Sequence, residues 1–149
     1  MGGNKLIRLA EKKDLSLLLA LTERFFNVSG YDSIARFDKN DVTNLLLSLI
    51  DSETILTDGK SAVLGFVVYP LYMNTDCLVS QELFWWVDEE YRSTGVGLKM
   101  LNEAEKISKQ KGAKTIMMLS LNDLDGDKVN KLYERRGYEK KEQTYMRAL

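Results

Sequence analysis

Between residues 77 and 121 the hydrophobic period changes twice, and that change narrows the fold more than anything else in the chain. "CLVSQELFWWVDEEY" reads as a long strand whose adjacent Trp85 and Trp86 must face opposite sides. From Gly95 the period becomes 3.6. Gly97, Met100, Leu101, Ala104 and Ile107 line one helical face, while Lys99, Asn102, Glu103, Lys106 and Lys109 line the other. Gly112 stands at the expected helix stop, and "AKTIMMLSL" follows as a buried strand. Two strands joined through a helix run parallel, because the helix carries the chain back to the end where the first strand began.

The remaining chain builds a sheet around that unit. "KLIRLA" alternates as a first strand, and Asp14 is placed to cap a helix running to about Asn27, with Leu15, Leu18, Leu19 and Phe25 or Phe26 on one face. "NVSGYDS" reads as a loop. A second helix carries Val42, Leu45, Leu46, Leu49 and Ile50, capped by Asp38 or Asp41. "ETILTDGKSAVLGFVVYPLY" is an antiparallel hairpin about an Asp58-Gly59 turn. "DKVNKLYERRG" is a fourth helix ended by Gly137, and "YEKKEQTYMRAL" alternates as a closing strand. The order is β-α-α-β-β-β-α-β-α-β. At 149 residues, with 44% apolar and 29% charged side chains, the chain suits one globular domain over 1–149.

Composition removes several chemistries. There is no histidine, so Ser-His-Asp and Cys-His machinery are excluded, and zinc would need an all-carboxylate site. The single cysteine, Cys77, excludes an internal disulfide and has no neighbour that would activate it as a nucleophile. No metal is expected. "NDLDGDKVNKL" resembles a calcium loop only superficially: with Gly126 sixth, Leu121 and Leu132 fall where carboxylates are required, so it reads as a turn and helix cap. A net charge of -1 and a pI near 5.6 imply no nucleic-acid partner. No apolar run is long enough for a membrane span, no leader pattern is present, and Leu6 breaks the myristoylation pattern begun by Gly2, so a cytoplasmic protein is expected.

The glycine turn carries the chemistry. A strand, a glycine turn and a helix start present unpaired N–H groups and a helix dipole to an anion, and Arg92 adds charge. It is neither a dinucleotide fingerprint, since Met100 stands where a third glycine belongs, nor a Walker loop, since no Gly-Lys-Ser/Thr ends it. A helix whose first turn is glycine-rich for packing is the alternative.

"VDEEYRSTGVGLKMLNEAE" resembles motif A of the GNAT superfamily of N-acetyltransferases, whose Arg/Gln-x-x-Gly-x-Gly/Ala signature matches Arg92, Ser93, Thr94, Gly95, Val96 and Gly97. The likeness extends over nearly the whole chain: "IRLAEKKDL" resembles the first strand and helix start, Gly65 falls in a strand that commonly holds a glycine, and "VNKLYERRGYEKKEQTYMRAL" resembles motif B and the last strand. With "ELFWWVDEEYRSTG" it is most similar to small bacterial and phage-type members. The resemblance implies an α/β (α+β) GNAT fold with a mixed central sheet of six to seven strands and a splayed strand pair at the cofactor site.

It also implies acetyl-CoA as acyl donor, with residues 92–97 around the pyrophosphate. Trp86, Val87 and motif B Asn130 would be further contacts, with a backbone N–H near Val87 on the thioester oxygen. A primary amine, on a small molecule or a protein, attacks directly. Tyr133 occupies the position of the tyrosine that protonates the leaving thiolate, and its reference pKa of about 10 keeps it protonated; a packing role is the alternative. Glu82 corresponds to a glutamate base, although a bulge could turn Gln81 toward the cleft instead. Gly126 stands where the family often has an asparagine, a departure that bears on one expected cofactor contact. Tyr31, Tyr72, Trp85 and Tyr145 are candidates for the acceptor side, which the loop between the first two helices and "YPLYMNTDC" would shape. The competing functions are a silent acyl-CoA-binding module and a toxin-type transferase on charged tRNA, the latter opposed by the acidic pI. A homodimer is expected from the aromatic strands.

Overall fold

The computed structural model describes residues 6–121 and 126–149. In chain order it contains β1 (Arg8–Leu9), α1 (Leu15–Ser29), α2 (Lys39–Asp51), β2 (Ile55–Thr57), β3 (Ala62–Leu71), β4 (Asn74–Val87), α3 (Val96–Gln110), β5 (Ala113–Met117) and α4 (Gly126–Arg135). Short 3-10 turns occupy Lys12–Asp14, Tyr31–Ser33 and Glu89–Thr94. The turn expected over 122–125 lies outside the described residues.

The strands form one sheet in the order β1-β2-β3-β4-β5, antiparallel except for β4 and β5, which are parallel as the α3 crossover requires. α1 and α2 cover one face through Leu18, Leu21, Phe25, Leu46 and Leu49, packed on Ile55, Val63 and Phe84. α3 covers the other through Val96, Met100 and Ala104, packed on Leu56, Leu64 and Phe66. Trp86 packs on the α1 side and Trp85 on the α3 side, the split that strand geometry demands of adjacent residues.

Several expectations are corrected. The sheet has five strands among the described residues rather than six or seven, because 138–149 forms none. Tyr145 and Met146 are adjacent and would fall on opposite faces of a strand, so neither face offers an apolar row to bury. β5 ends at Met117 rather than at Leu121. Asp14 precedes α1 but makes no side-chain cap; its carboxylate takes Arg8 through two bonds of 2.7 and 2.9 Å and the Glu11 N–H at 2.8 Å. α1 runs on to Ser29, ending at Gly30 with φ +89°. Asp38 is the α2 cap, accepting from the Asp41 N–H at 2.9 Å, and Leu45 is 37% exposed rather than buried.

Two irregularities in β3 and β4 matter for the site. The register runs Gly65↔Phe84 and then Phe66↔Glu82, leaving Leu83 as an extra residue in β4, a β-bulge. Leu83 and Phe84 therefore both pack toward α1. Further along, β3 outruns β2: the Phe66 N–H donates to the Thr54 carbonyl at 3.0 Å, and beyond it no described strand pairs with β3 on that side. Even-numbered residues of β3 point their main-chain groups that way, so the N–H that Pro70 lacks would have faced the open edge.

Gly65 lets the Phe84 ring lie on the backbone of β3; a Cβ there would sit 2.5 Å from Phe84 Cζ. Gly65→Ala should therefore destabilise the fold by about 1–3 kcal/mol through overpacking, and the double variant with Phe84→Leu should recover much of the loss. Denaturant unfolding checks both; equal stability of Gly65→Ala and the parent would contradict this packing.

Candidate active site

The pairing of β4 with β5 ends at Gln81↔Met117, while β4 continues to Val87. Beyond that rung the two chains part. The register says which groups line the opening. Odd-numbered residues of β3 bond toward β4, so Phe84 and Trp86, opposite Gly65 and Val63, use their main-chain groups on the β3 side. The Asp88 N–H, donating to the Ser61 carbonyl at 2.8 Å, keeps this alternation. Leu83, Trp85 and Val87 thus turn their N–H and C=O groups to that side, where the Val87 carbonyl is taken by the Arg92 side chain. This is the edge a peptide-like chain could join as an added strand.

Glu82 and Tyr133 meet at the vertex of the opening, both on Leu119. The Leu119 N–H donates to Glu82 Oε1 at 3.2 Å, and the Tyr133 hydroxyl donates to the Leu119 carbonyl at 2.8 Å. Glu82 is only 3% exposed, and burial pushes its carboxyl up to about 8. Burial, reinforced by Glu82 and Tyr138, holds the Tyr133 hydroxyl well above the usual tyrosine range. The Tyr133 ring lies against Trp85 and Tyr138, with centroids 6.5 and 5.2 Å away. Tyr138 in turn donates to Glu105 Oε2 of α3 at 3.0 Å, and Arg136 pairs with the same carboxylate. Asn130 lies half-buried on α4, one turn before Tyr133.

The two candidate bases both precede the bulge and fall on opposite faces of β4. Gln81 is opposite Val67 on the α1 side and accepts from the Tyr69 hydroxyl at 2.5 Å, whereas Glu82 reaches Leu119 across the opening.

At the far end of β4 the chain makes a 3-10 turn and enters α3 through Gly95, at φ +82°. The first helical bond runs from the Lys99 N–H to the Gly95 carbonyl at 3.1 Å, so the N–H groups of Val96, Gly97 and Leu98 have no carbonyl one turn back in the helix. The two glycines differ in what surrounds them. Gly95 is exposed, nothing lies within 4 Å of where its Cβ would be, and its left-handed backbone is what excludes other residues. A Cβ on Gly97 would point inward, 3.4 Å from Trp85 Cζ2 and 3.6 Å from Val87 Cγ2. Both are ordinary contact distances, so packing of α3 on β4 does not by itself require glycine at 97. Ser93 and Thr94 are exposed, and Val96 is buried in the core beneath α3.

Arg92 is turned back on the strand: its Nε donates to the Val87 carbonyl at 2.9 Å and its guanidinium lies 4.8 Å from the Trp86 ring centroid. The Trp86 indole N–H donates to Asp88 Oδ1 at 2.8 Å, and Arg24 of α1 holds both Asp88 oxygens at 2.7 and 2.8 Å. The sequence reading missed Arg24, Asp88 and Leu119. Asp88, following the strand directly, had a local signal; Arg24 is 64 positions away from it and had none. The Trp85 indole nitrogen is buried with no partner among the described residues.

The raised carboxyl of Glu82 has a measurable consequence. Between its ordinary 4.5 and about 8, the folded chain holds a proton that the unfolded chain has released. Stability from this group is therefore complete below pH 4.5 and is lost as pH rises to about 8. Glu82→Gln should flatten that part of the pH–stability curve; parallel curves for the two proteins would remove the shift.

A family model described as the acetyltransferase (GNAT) family matches residues 16–138. No curated protein shows a significant sequence match. Among solved structures the chain is similar to an acetyltransferase of Trypanosoma brucei, with 19% identity, a TM-score of 0.69, and 97% of this chain and 99% of that one covered. A predicted acetyltransferase of Clostridium acetobutylicum, solved with acetyl-CoA, gives 17%, 0.70, and coverage of 96% and 95%. An aminoglycoside antibiotic 6'-N-acetyltransferase of Acinetobacter haemolyticus gives 15%, 0.67, and 97% of each chain. With its parallel pair parting beside a glycine-started helix, and with the family match running from α1 to the end of α4, the chain belongs to the GNAT acetyltransferase family.

Proposed function

We propose that the protein transfers the acetyl group of acetyl-CoA to a primary amine by direct attack within a ternary complex. The observation that carries this reading is the edge of β4 without a partner strand, where the main-chain groups of Leu83 and Trp85 and the N–H of Val87 lead from the Glu82–Tyr133 vertex to the Gly95 turn. One edge thus joins a place for proton transfer to a place for phosphate. The acetyl-CoA solved with the Clostridium acetobutylicum protein and the aminoglycoside substrates named for related folds support the donor and the amine class.

Acetyl-CoA supplies an activated thioester that a neutral amine attacks. Residues Arg92 to Gly97 hold the pyrophosphate, chiefly through the N–H groups around the start of α3, whose dipole favours the charge. Trp86 and Val87 place the strand end, Asn130 adds a contact from α4, and an N–H of the free edge near Val87 polarises the thioester oxygen. Tyr133 donates a proton to the departing thiolate, its raised hydroxyl ensuring that it carries one. Glu82 accepts the amine's proton, directly or through water. Because its carboxyl titrates near 8, its competence as base grows as pH rises toward that value. Among the described residues no helix is long and apolar enough to cross a membrane. A cytoplasmic location and a homodimer belong to the same proposal, the latter prompted by the aromatic strands and checked by solution mass.

One observation favours a second reading, an acyl-CoA-binding module without turnover: both Glu82 and Tyr133 are committed to Leu119. Tyr133→Phe separates the two. Under the transferase reading, acetyl-CoA affinity by calorimetry changes little, while kcat in a thiol-release assay against a panel of amines falls by about 10²- to 10⁴-fold. Unchanged kcat with chemistry rate-limiting would remove the acid role. Thiol release with none of the amines, polyamines, aminoglycosides and peptides tried, alongside tight acetyl-CoA binding, would favour the silent module.

A further inference from the structure

We propose that Glu82 is a wedge: its side chain, standing where a ladder bond would otherwise form, holds β4 apart from residues 118–121 and so keeps the opening from closing into continuous sheet. The wedge is a positioning role, additional to any proton transfer, and it rests on the acetyl-CoA reading only in identifying what the opening is for.

The argument starts from the last rung, Gln81↔Met117. Paired strands lie about 4.8 Å apart, and the next residue of the second chain to turn its main chain toward β4 is two positions on, at Leu119. Its N–H does point at β4, but it ends on Glu82 Oε1 at 3.2 Å rather than on a main-chain carbonyl. Its C=O, which leaves a strand on the same side as the N–H, is taken by the Tyr133 hydroxyl at 2.8 Å. Both groups that Leu119 would give to a ladder are thus satisfied by side chains, and the Glu82 side chain spans from β4 to the Leu119 backbone. Met118 packs toward α3 and Leu121 toward α1, so the departing chain still alternates like a strand. Pairing stops although the strand pattern does not. The bulge supplies the place: Glu82 is the residue immediately before Leu83, where the β4 ladder changes register and a side chain can enter the space between strands.

The role needs an acceptor of this length, not a charge. Glu82→Gln keeps a carbonyl oxygen at the same reach, whereas Glu82→Leu keeps similar volume without an acceptor and frees the Leu119 N–H to seek a β4 carbonyl. CoA itself, which cannot turn over, is the probe, titrated calorimetrically. Cross-strand amide contacts between Leu83 and Leu119, measured by NMR, report the opening directly. For Glu82→Gln we expect CoA affinity within about threefold of the parent even where turnover falls, and no contact between Leu83 and Leu119. For Glu82→Leu we expect those contacts to appear and the CoA dissociation constant to rise at least about tenfold. Should Glu82→Leu not fold, Glu82→Met, a flexible side chain with only a weak acceptor, takes its place. An open edge and parental CoA affinity in the apolar variant would overturn the wedge. A parent that does not bind CoA would overturn the acetyl-CoA reading alone, while the NMR contacts still decide the wedge.

Discussion

One extra residue in β4 governs the geometry of everything downstream. Up to Glu82 the even-numbered residues of the strand face α3, as the buried hydroxyl pair of Ser80 and Ser108 records at 2.7 Å. After Leu83 the odd-numbered ones do, with Trp85 and Val87 in the α3 core. The insertion also moves the side on which main-chain groups are free. With regular alternation through Leu83, the residues now facing the opening would spend their bonds on β3, and Phe84 and Trp86 would face the opening in their place. The bulge persists because Gly65 allows Phe84 to lie against the opposing backbone, which anchors the register shift in the core.

A second set of contacts ties the glycine turn to the far side of the molecule. Arg24 on α1 holds Asp88, Asp88 holds the Trp86 indole, and Trp86 carries the guanidinium of Arg92, whose Nε caps the Val87 carbonyl. Each link is modest, since Arg24 is half exposed and a solvent-facing ion pair contributes little. Together they fix the direction in which β4 delivers the chain to α3. From the other side α3 packs on Trp85 and Val87 through Val96, Met100 and Ala104. The turn is held through α1 on one face of the sheet and α3 on the other, so the helix start arrives at the end of the free edge with little room to shift.

Much of this was legible beforehand, and what was not has physical causes. The change of period at Gly95 gave the parallel pair, because 3.6-residue and two-residue spacing leave distinct marks over fifteen residues of α3. The opposed tryptophans, the α2 cap as one of Asp38 and Asp41, and Gly137 as a stop followed from local rules, and Gly137 does take φ +84°. The bulge was not legible: an inserted residue changes pairing, and pairing depends on a partner strand the local pattern does not contain. For the same reason only the register, with Phe66 opposite Glu82 and Val67 opposite Gln81, decides between Gln81 and Glu82. Asp14 shows a propensity overruled at short range, where a bidentate arginine six residues away outbids a helix end for the same carboxylate. The closing strand failed because alternation alone does not make a strand; an apolar row and a neighbour to bury it against are also needed.

Pro70 carries a consequence beyond its own position. A long hairpin whose inner strand outruns its neighbour exposes a row of unused donors and acceptors, the kind of border that recruits foreign strands and seeds aggregates. Here the row is interrupted where the missing N–H of Pro70 would have donated. The chain thus leaves the main-chain groups of Leu83 and Trp85 without a partner strand on one border of the sheet and breaks the continuity of the other unpaired stretch at Pro70, so that one border stays open and the other is guarded.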